Sequence, residues 1–346
     1  MYQKNLILDS QCLTMQKTDV TIGVDIGGTN TKIGIVTENG EVLGHTSFPS
    51  CANEGFKAFI SSFVVELDKL KAKIKIPIEI LGVGIGAPNA NYYTGQMEYA
   101  VNFKWGKHVP VVATIQDLLS VPTVITNDAN AAAVGEMRFG SAQGMKNFVL
   151  VTLGTGLGSG IVVDGKLVHG KHGLAGEMGH IVVRPDGRTC NCGNRGCLET
   201  YASATGIKRT VFKFMADMNG ASPLRKVSFD EMTSKMITEA ALAGDGLASK
   251  AFIYTGEILG TKLADTVAYL NPEAIILSGG LTRAGDLLMK PTREYMEKYM
   301  FSVFRGKTQL LISQLDGANT AVVGAGALAW DYIDNKQSEE MMALIH

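Results

Sequence analysis

The chain has no uninterrupted apolar run of the roughly 18 residues that a membrane-spanning helix requires. Residues 1–19 also lack the long apolar core of a secretory signal, so neither export nor membrane insertion is expected. Charge of one sign is missing too: 32 Lys and Arg stand against 33 Asp and Glu, for a net charge of −1 and a pI near 6.6. Such a balance leaves no basic footprint for nucleic acid. Cysteine is scarce, five in 346 residues, which fits a reducing cytoplasm rather than a disulfide framework. No G-x-x-x-x-G-K-[ST] phosphate loop occurs. The run from Gly82 to Pro88 imitates a dinucleotide fingerprint, but Pro88 and the polar residues after it stand where that fold needs a helix.

What cysteine there is concentrates in one place. Between Gly176 and Glu199 the sequence reads GEMGH and then RPDGRTCNCGNRGCLET, placing His180, Cys190, Cys192 and Cys197 within short reach. Three thiols and an imidazole make a tetrahedral N/S shell for a structural zinc, with no position left open for catalysis. Thiol pairing is the alternative, and a histidine beside three thiols in a Cys-poor chain favours metal. Glu177 and Glu199 bracket the cluster without being counted as ligands. Cys12 and Cys51 read as unpaired.

A hydrophobic content of 46% over this length supports two domains. The first strand, Val20 to Asp25, runs into a Gly27-Gly28-Thr29 turn, and Thr31 to Thr37 return toward a hairpin at Asn39-Gly40. Such a turn either closes a plain hairpin or presents its N–H groups to an anion. Residues 149–166 repeat the layout, with Thr152 in the place of Asp25, Gly154-Thr155-Gly156 in the place of the first turn, and Asp164-Gly165 as hairpin. Two copies half a chain apart imply two related domains with an anion turn each, facing across a cleft.

Between the copies, Asn53 is placed to cap a helix carrying Phe56, Ile60, Phe63, Leu67 and Leu70 on one face, and Ile78 to Ile85 form a strand. The polar, aromatic stretch from Gly86 to Trp105 suits a substrate-facing loop, with Asn102 either a sugar-hydroxyl contact or merely solvated. Val121 to Thr126 is a strand that delivers Asn127, Asp128 and Asn130 to the start of an Ala-rich helix. Asp128 there is either a cap or the carboxylate that accepts a hydroxyl proton in phosphoryl transfer. Further on, Ser228 and Glu231 form a capping box before a helix with Met232 and Met236. Ala248 to Leu270 is a long buried helix with Gly256 and Gly260 allowing close packing. Ala274 to Leu277 is a strand ending at Gly279-Gly280, and Thr320 to Trp330 is a small-residue helix that the charged tail extends.

Taken in order and spacing, DIGGTNTKIG, NDANAAAVGE, LGTGLGSG, GEMGH and CNCGNRGCLE resemble the ROK family of sugar kinases and repressors over residues 20–330. The resemblance implies an α/β, actin-like, hexokinase-type fold of two ribonuclease-H-like lobes around a cleft. Residues 1–18 would be an extension, 19–126 with 320–346 the smaller lobe, and 127–319 the larger. Asp128 matches the family's catalytic base. Asn102, Asn127, Glu177, His180 and Glu199 match its sugar contacts, and His180, Cys190, Cys192 and Cys197 its zinc ligands. Gly27, Gly28, Thr29, Asn30 and Lys32 would hold ATP phosphates with Mg2+ near Asp25. Thr155 and Gly156 would face them from the other lobe, and Gly279-Gly280 would lie by the adenosine if they are more than a strand-to-helix turn. One departure is Ser159, where many members have glycine. The implied activity is ATP-dependent phosphorylation of a hexose at C6, with glucose as the substrate and mannose as a further one. The alternatives are an N-acetylglucosamine or N-acetylmannosamine kinase, and a sugar-sensing regulator without catalysis. A repressor would need a helix-turn-helix unit, and some nineteen residues before the first strand are too few for one. The family also implies a homo-oligomer, dimer or tetramer.

Overall fold

The computed structural model describes residues 17–100, 102–315 and 319–343. The chain opens on a meander of β1 (Thr18–Ile26), β2 (Asn30–Thr37) and β3 (Val42–Pro49), then α1 (Phe56–Lys73) and β4 (Ile78–Gly86). Thr18 already belongs to β1 and donates its N–H to Pro77 O; the rest of the expected extension, apart from Lys17, lies outside the described residues. Three short strands follow, β5 (Ala90–Asn91), β6 (Gln96–Glu98) and β7 (His108–Val109), then α2 (Val111–Leu119) and β8 (Thr123–Thr126). The stretch read as a loop thus folds as a small antiparallel sheet, β5-β6-β7. The main sheet has the order β3-β2-β1-β4-β8, antiparallel through β1 and parallel beyond it.

Next come α3 (Asp128–Phe139), β9 (Phe148–Leu153), β10 (Leu157–Val163) and β11 (Lys166–Leu167). They are followed by α4 (Ala204–Asp217), α5 (Ser234–Leu242), α6 (Gly246–Leu270), β12 (Ala274–Ser278), α7 (Asp286–Tyr299), β13 (Gln309–Ile312) and α8 (Thr320–Ala343). The second sheet, β11-β10-β9-β12-β13, repeats the first in order and in strand direction. The duplicated strand-turn-strand unit is therefore the visible part of a longer duplication.

Strand alternation sorts each sheet into two faces. On β1, Val20, Ile22, Val24 and Ile26 share a core with Phe59, Phe63 and Leu67 of α1. Thr21 and Gly23 point the other way, against α8, where Thr21 Oγ1 donates to Gly326 O at 3.1 Å. On β9, Val149, Val151 and Leu153 pack toward α6, whereas Phe148 and Leu150 pack toward Ala133 of α3. Each sheet thus has one covering helix facing the middle of the molecule, α8 or α3, and these two pack on each other. The Arg138–Asp334 ion pair, 2.6 Å, links them at the surface.

Glycine sets how near those helices come. A methyl group at Gly84 of β4 would lie 1.8 Å from Ala325 O, and one at Gly135 of α3 would lie 2.9 Å from the Gly324 Cα. The glycines that imitated a dinucleotide fingerprint therefore serve helix packing. Gly84→Ala is expected to destabilise the fold by about 3 kcal/mol, because backbone rather than a movable side chain blocks the new carbon. Urea denaturation at constant m-value checks it.

Three local expectations shift. The N-cap of α1 is Gly55, with Asn53 exposed in the preceding turn, and Phe59 rather than Phe56 or Ile60 is fully buried. Phe59 sits between Phe48 and Trp105, with ring centroids 6.0 and 4.7 Å away, so packing from distant segments rotates the face by about a residue. Ser228 and Glu231 do bond reciprocally, at 2.7 Å between side chains, but they close an isolated turn; α5 starts later, capped by Thr233. Gly256 and Gly260 pack against α7 as read, a methyl at Gly260 falling 2.3 Å from Thr292 O.

Candidate active site and metal centre

β1 ends one residue beyond Asp25, whose strand partners are Lys32 on β2 and Gly86 on β4. The turn that follows is braced from the end of β3. Ser50, fully buried, donates its hydroxyl to Gly27 O at 2.6 Å, pairs with Thr31 Oγ1 at 2.9 Å, and gives its N–H to Thr29 O. Gly27 N donates to Asn30 O, while among the described residues the N–H groups of Gly28 and Thr29 have no backbone acceptor, and both residues are exposed beside Asn30. That is a braced, exposed turn with unpaired donors, which suits an anion. Asn102 packs beside it, its Cβ 4.0 Å from where a Gly28 side chain would start. Lys32 is exposed next to the same turn.

The second turn is built alike. Thr152 Oγ1 accepts from Gly158 N at 3.2 Å, Gly154 O accepts from Ala204 N, and Thr155 is exposed. A Cβ at Gly156 would lie 2.6 Å from Glu199 Oε2, so this turn abuts the acid that ends the cysteine loop. Gly279, at φ +98°, lies against the backbone of Leu153, which brings Gly279-Gly280 beside the same turn.

Asn127 caps α3, accepting Ala129 N at 2.8 Å, and Asp128 Oδ1 accepts that same N–H at 2.8 Å. Asn127 is thus the N-cap, and among the described residues only backbone N–H groups, and no side chain, bond the Asp128 carboxyl. Asp128 keeps contact with solvent, yet the protein packed around its carboxyl strips water from it and raises its pKa. Asp25 is pushed up to about 6, first by burial, then by the charge of Asp128, with Lys32 opposing. Glu177 is raised by burial and by Asp128 and Glu199, against His180. Acids from β1, α3, the GEMGH turn and the cysteine loop thus share one cleft and feel one another.

The charge on Asp25 works against folding. Folded-state protonation begins near pH 6 rather than 3.8, so the group's stabilising effect is complete below pH 3.8 and is lost as pH rises through about 6. Removing it with Asp25→Asn is expected to raise the free energy of unfolding by about 2 kcal/mol near pH 7.5. The gain shrinks near pH 5, which paired urea titrations detect.

His180 ends a short 3-10 turn at Met178–His180, and Glu199 lies in another at Leu198–Thr200. The donor atoms of His180, Cys190, Cys192 and Cys197 all lie within 4.8 Å of one another. Cys192 Sγ is 3.6 Å from Cys197 Sγ, and Cys190 Sγ is 3.7 Å from His180 Nδ1. A tetrahedral zinc with ordinary bond lengths requires S···S of about 3.8 Å and S···N of about 3.6 Å. The set fits that ion. His180 Nε2 points the other way, 3.9 Å from Glu177 Oε2, while Glu199 Oε1 lies 3.9 Å from Nδ1. One ring edge is thus available to metal and the other to the cleft.

Ser159, the departure from the resembled pattern, does not approach the turn. It is buried on β10 and donates its hydroxyl to Gly176 O, tying the GEMGH segment to the second sheet. Two residues that sequence reasoning missed support the site. Ser50 carries no local signal, since its partners lie some twenty residues away. Arg188 clamps the cysteine loop, donating to Thr200 O at 2.6 Å, Gly206 O at 2.9 Å and Thr210 Oγ1 at 2.9 Å.

The ROK family model matches residues 21–332. The chain belongs to the ROK family. The glucokinase of Halalkalibacterium halodurans is 36% identical over 327 residues, 93% of this chain and 96% of that protein. Among solved structures, a ROK family glucokinase from Streptomyces griseus in complex with glucose and AMPPNP matches with TM-score 0.75 and 35% identity, covering 90% of this chain and 99% of that one. A ROK transcriptional regulator, a homologue of the Escherichia coli MLC protein, matches with TM-score 0.80 and 27% identity, over 90% and 77%. The actin-like, hexokinase-type architecture of this family is the duplicated two-sheet fold described above. No helix among the described residues is long and apolar enough to cross a membrane.

Proposed function

We propose that the protein is an ATP-dependent hexose kinase acting on the C6 hydroxyl, with glucose as its preferred sugar. The observation that carries this reading is Asp128: Asn127 caps the helix beside it, and no side chain among the described residues bonds the Asp128 carboxyl, which leaves it available to a substrate hydroxyl between the two glycine turns. In the reaction the sugar oxygen bonds to the terminal phosphorus of ATP, the bond to the ADP oxygen breaks, and the hydroxyl proton passes to Asp128. Asn102, Asn127, Glu177, His180 and Glu199 would hold the other hydroxyls. A carboxylate accepts from two neighbouring hydroxyls at once, which suits a vicinal diol. The turns at Gly27–Asn30 with Lys32, and at Thr155-Gly156, would take the phosphates by their N–H groups, with Gly279-Gly280 near the base.

Magnesium fits beside Asp25, where the mutual repulsion with Asp128 favours a cation; it would neutralise phosphate charge. Zinc fits the His180, Cys190, Cys192, Cys197 cluster, and would fix which ring nitrogen of His180 faces the sugar. Closure of the two sheets over the sugar would exclude water and suppress ATP hydrolysis. Glucose is favoured by the relatives named glucokinase and by the glucose-bound S. griseus neighbour. The similarity to a transcriptional regulator supports a second reading, a sugar-responsive protein without turnover.

Coupled ADP release with ATP and magnesium, run over glucose, mannose, N-acetylglucosamine and N-acetylmannosamine, separates these. Glucose is expected to give the highest kcat/KM. Turnover confined to an N-acetylated sugar would overturn the choice of sugar, and none on any would favour the regulator.

A further inference from the structure

A second recess of about 530 Å³ opens between the cysteine loop, α4 and α6, and it shares with the site above only Arg188, the clamp of the cysteine loop. That volume is within the roughly 300–1,000 Å³ range of small-molecule sites. Its walls carry Arg184, Arg188 and Lys213 against one acid, Asp186, with the rings of Tyr201 and Tyr254 alongside. The Arg188 guanidinium lies 4.4 Å from the centre of the Tyr201 ring. Its Nη1 serves the carbonyls of Thr200 and Gly206, and one Nη2 hydrogen serves Thr210. That leaves Nε–H and the second Nη2 hydrogen free, since a guanidinium has five.

Charge balance is the telling feature. Among the described residues, neither Arg188 nor Arg184 has a carboxylate within ion-pair distance, and only Lys213 is paired, with Asp217. A half-buried guanidinium ordinarily acquires a counter-charge, because desolvating an unpaired ion is costly. Arginine presents its N–H groups as a planar fork that matches an oxyanion. Tyr201 is buried beneath that fork, and the half-buried ring of Tyr254, 6.4 Å from it between centroids, adds apolar surface at the recess.

We propose that this recess is a binding site for a small aromatic oxyanion, its charged group met by Arg184, Arg188 and Lys213 and its ring by Tyr254. The site is separate from the phosphate turns, yet Arg188 holds the carbonyl of Thr200, the residue after Glu199.

Isothermal titration of the full, zinc-loaded chain tests it, with 4-nitrophenyl phosphate and 4-nitrobenzoate as anions and 4-nitrobenzamide as the uncharged control. At least one anion is expected to bind saturably, with the amide at least about tenfold weaker, as expected when a charge-assisted bond is lost. Arg184 and Lys213 are exposed, so the double variant Arg184→Ala, Lys213→Ala is expected to fold normally and to raise the Kd by a similar factor. Tyr254→Ala is expected to weaken each anion that binds. Lys32→Ala, at the first phosphate turn, is expected to leave the Kd unchanged. Absence of saturable binding, indifference to the double variant, or loss of binding in Lys32→Ala would each overturn the proposal.

Discussion

Asp128→Asn is expected to lower kcat by about 10³-fold while sugar affinity changes by less than about threefold. A positioned general base contributes typically 10²–10⁴-fold, and the substitution removes the proton acceptor while keeping the shape. The amide keeps a carbonyl oxygen that can still accept Ala129 N, and Asn127 caps α3 independently at 2.8 Å, so the helix start is retained. The charge repulsion felt by Asp25 falls as well, since Asp128 is one of the two causes that raise its pKa. The variant is therefore expected to be at least as stable as the parent. Steady-state kinetics with glucose, beside sugar binding by titration, separate the two effects. A matched fall in kcat and in affinity would mean that Asp128 holds the sugar rather than taking its proton.

Cys192→Ser is expected to have the second largest effect, and on three readouts together. Zinc content falls, the melting temperature falls by several degrees, and KM for the sugar rises at least about tenfold, the lower range for losing a group that orients a metal ligand. Cys192 is exposed whereas Cys190 and Cys197 are buried, so the substitution removes a donor without opening a cavity. The reason the sugar should notice is geometric. His180 would bind metal with one ring edge and face Glu177 with the other, and Glu199 ends the loop two residues after Cys197. Chelation of the parent protein should reproduce the KM change. Retention of sugar affinity after full zinc loss would separate the loop from recognition.

Much of this site is legible in the sequence because its chemistry is local. The three thiols and their histidine lie within eighteen positions, and both strand-connecting turns carry their glycines in series. The duplication is legible for the same reason: each strand-turn-strand unit is one short segment with its own hairpin residues. What the sequence conceals depends on partners far along the chain. Ser50 braces the first turn from the end of another strand, and nothing beside it marks that duty. The buried face of α1 turns toward Phe59 because Phe48 and Trp105 converge there from either side. The small sheet β5-β6-β7 hides in a polar stretch because strands of two or three residues leave no alternation to read. Ser159 looks like a change at a phosphate turn, yet strand alternation sends it to the GEMGH segment instead.

The most direct test of the central claim is phosphorus NMR of the products formed from ATP, magnesium and glucose by the zinc-loaded chain. A sugar 6-phosphate resonance growing in step with ADP is expected, and its absence from Asp128→Asn in the same interval. ADP accompanied only by inorganic phosphate, or a sugar ester formed equally well by Asp128→Asn, would contradict it.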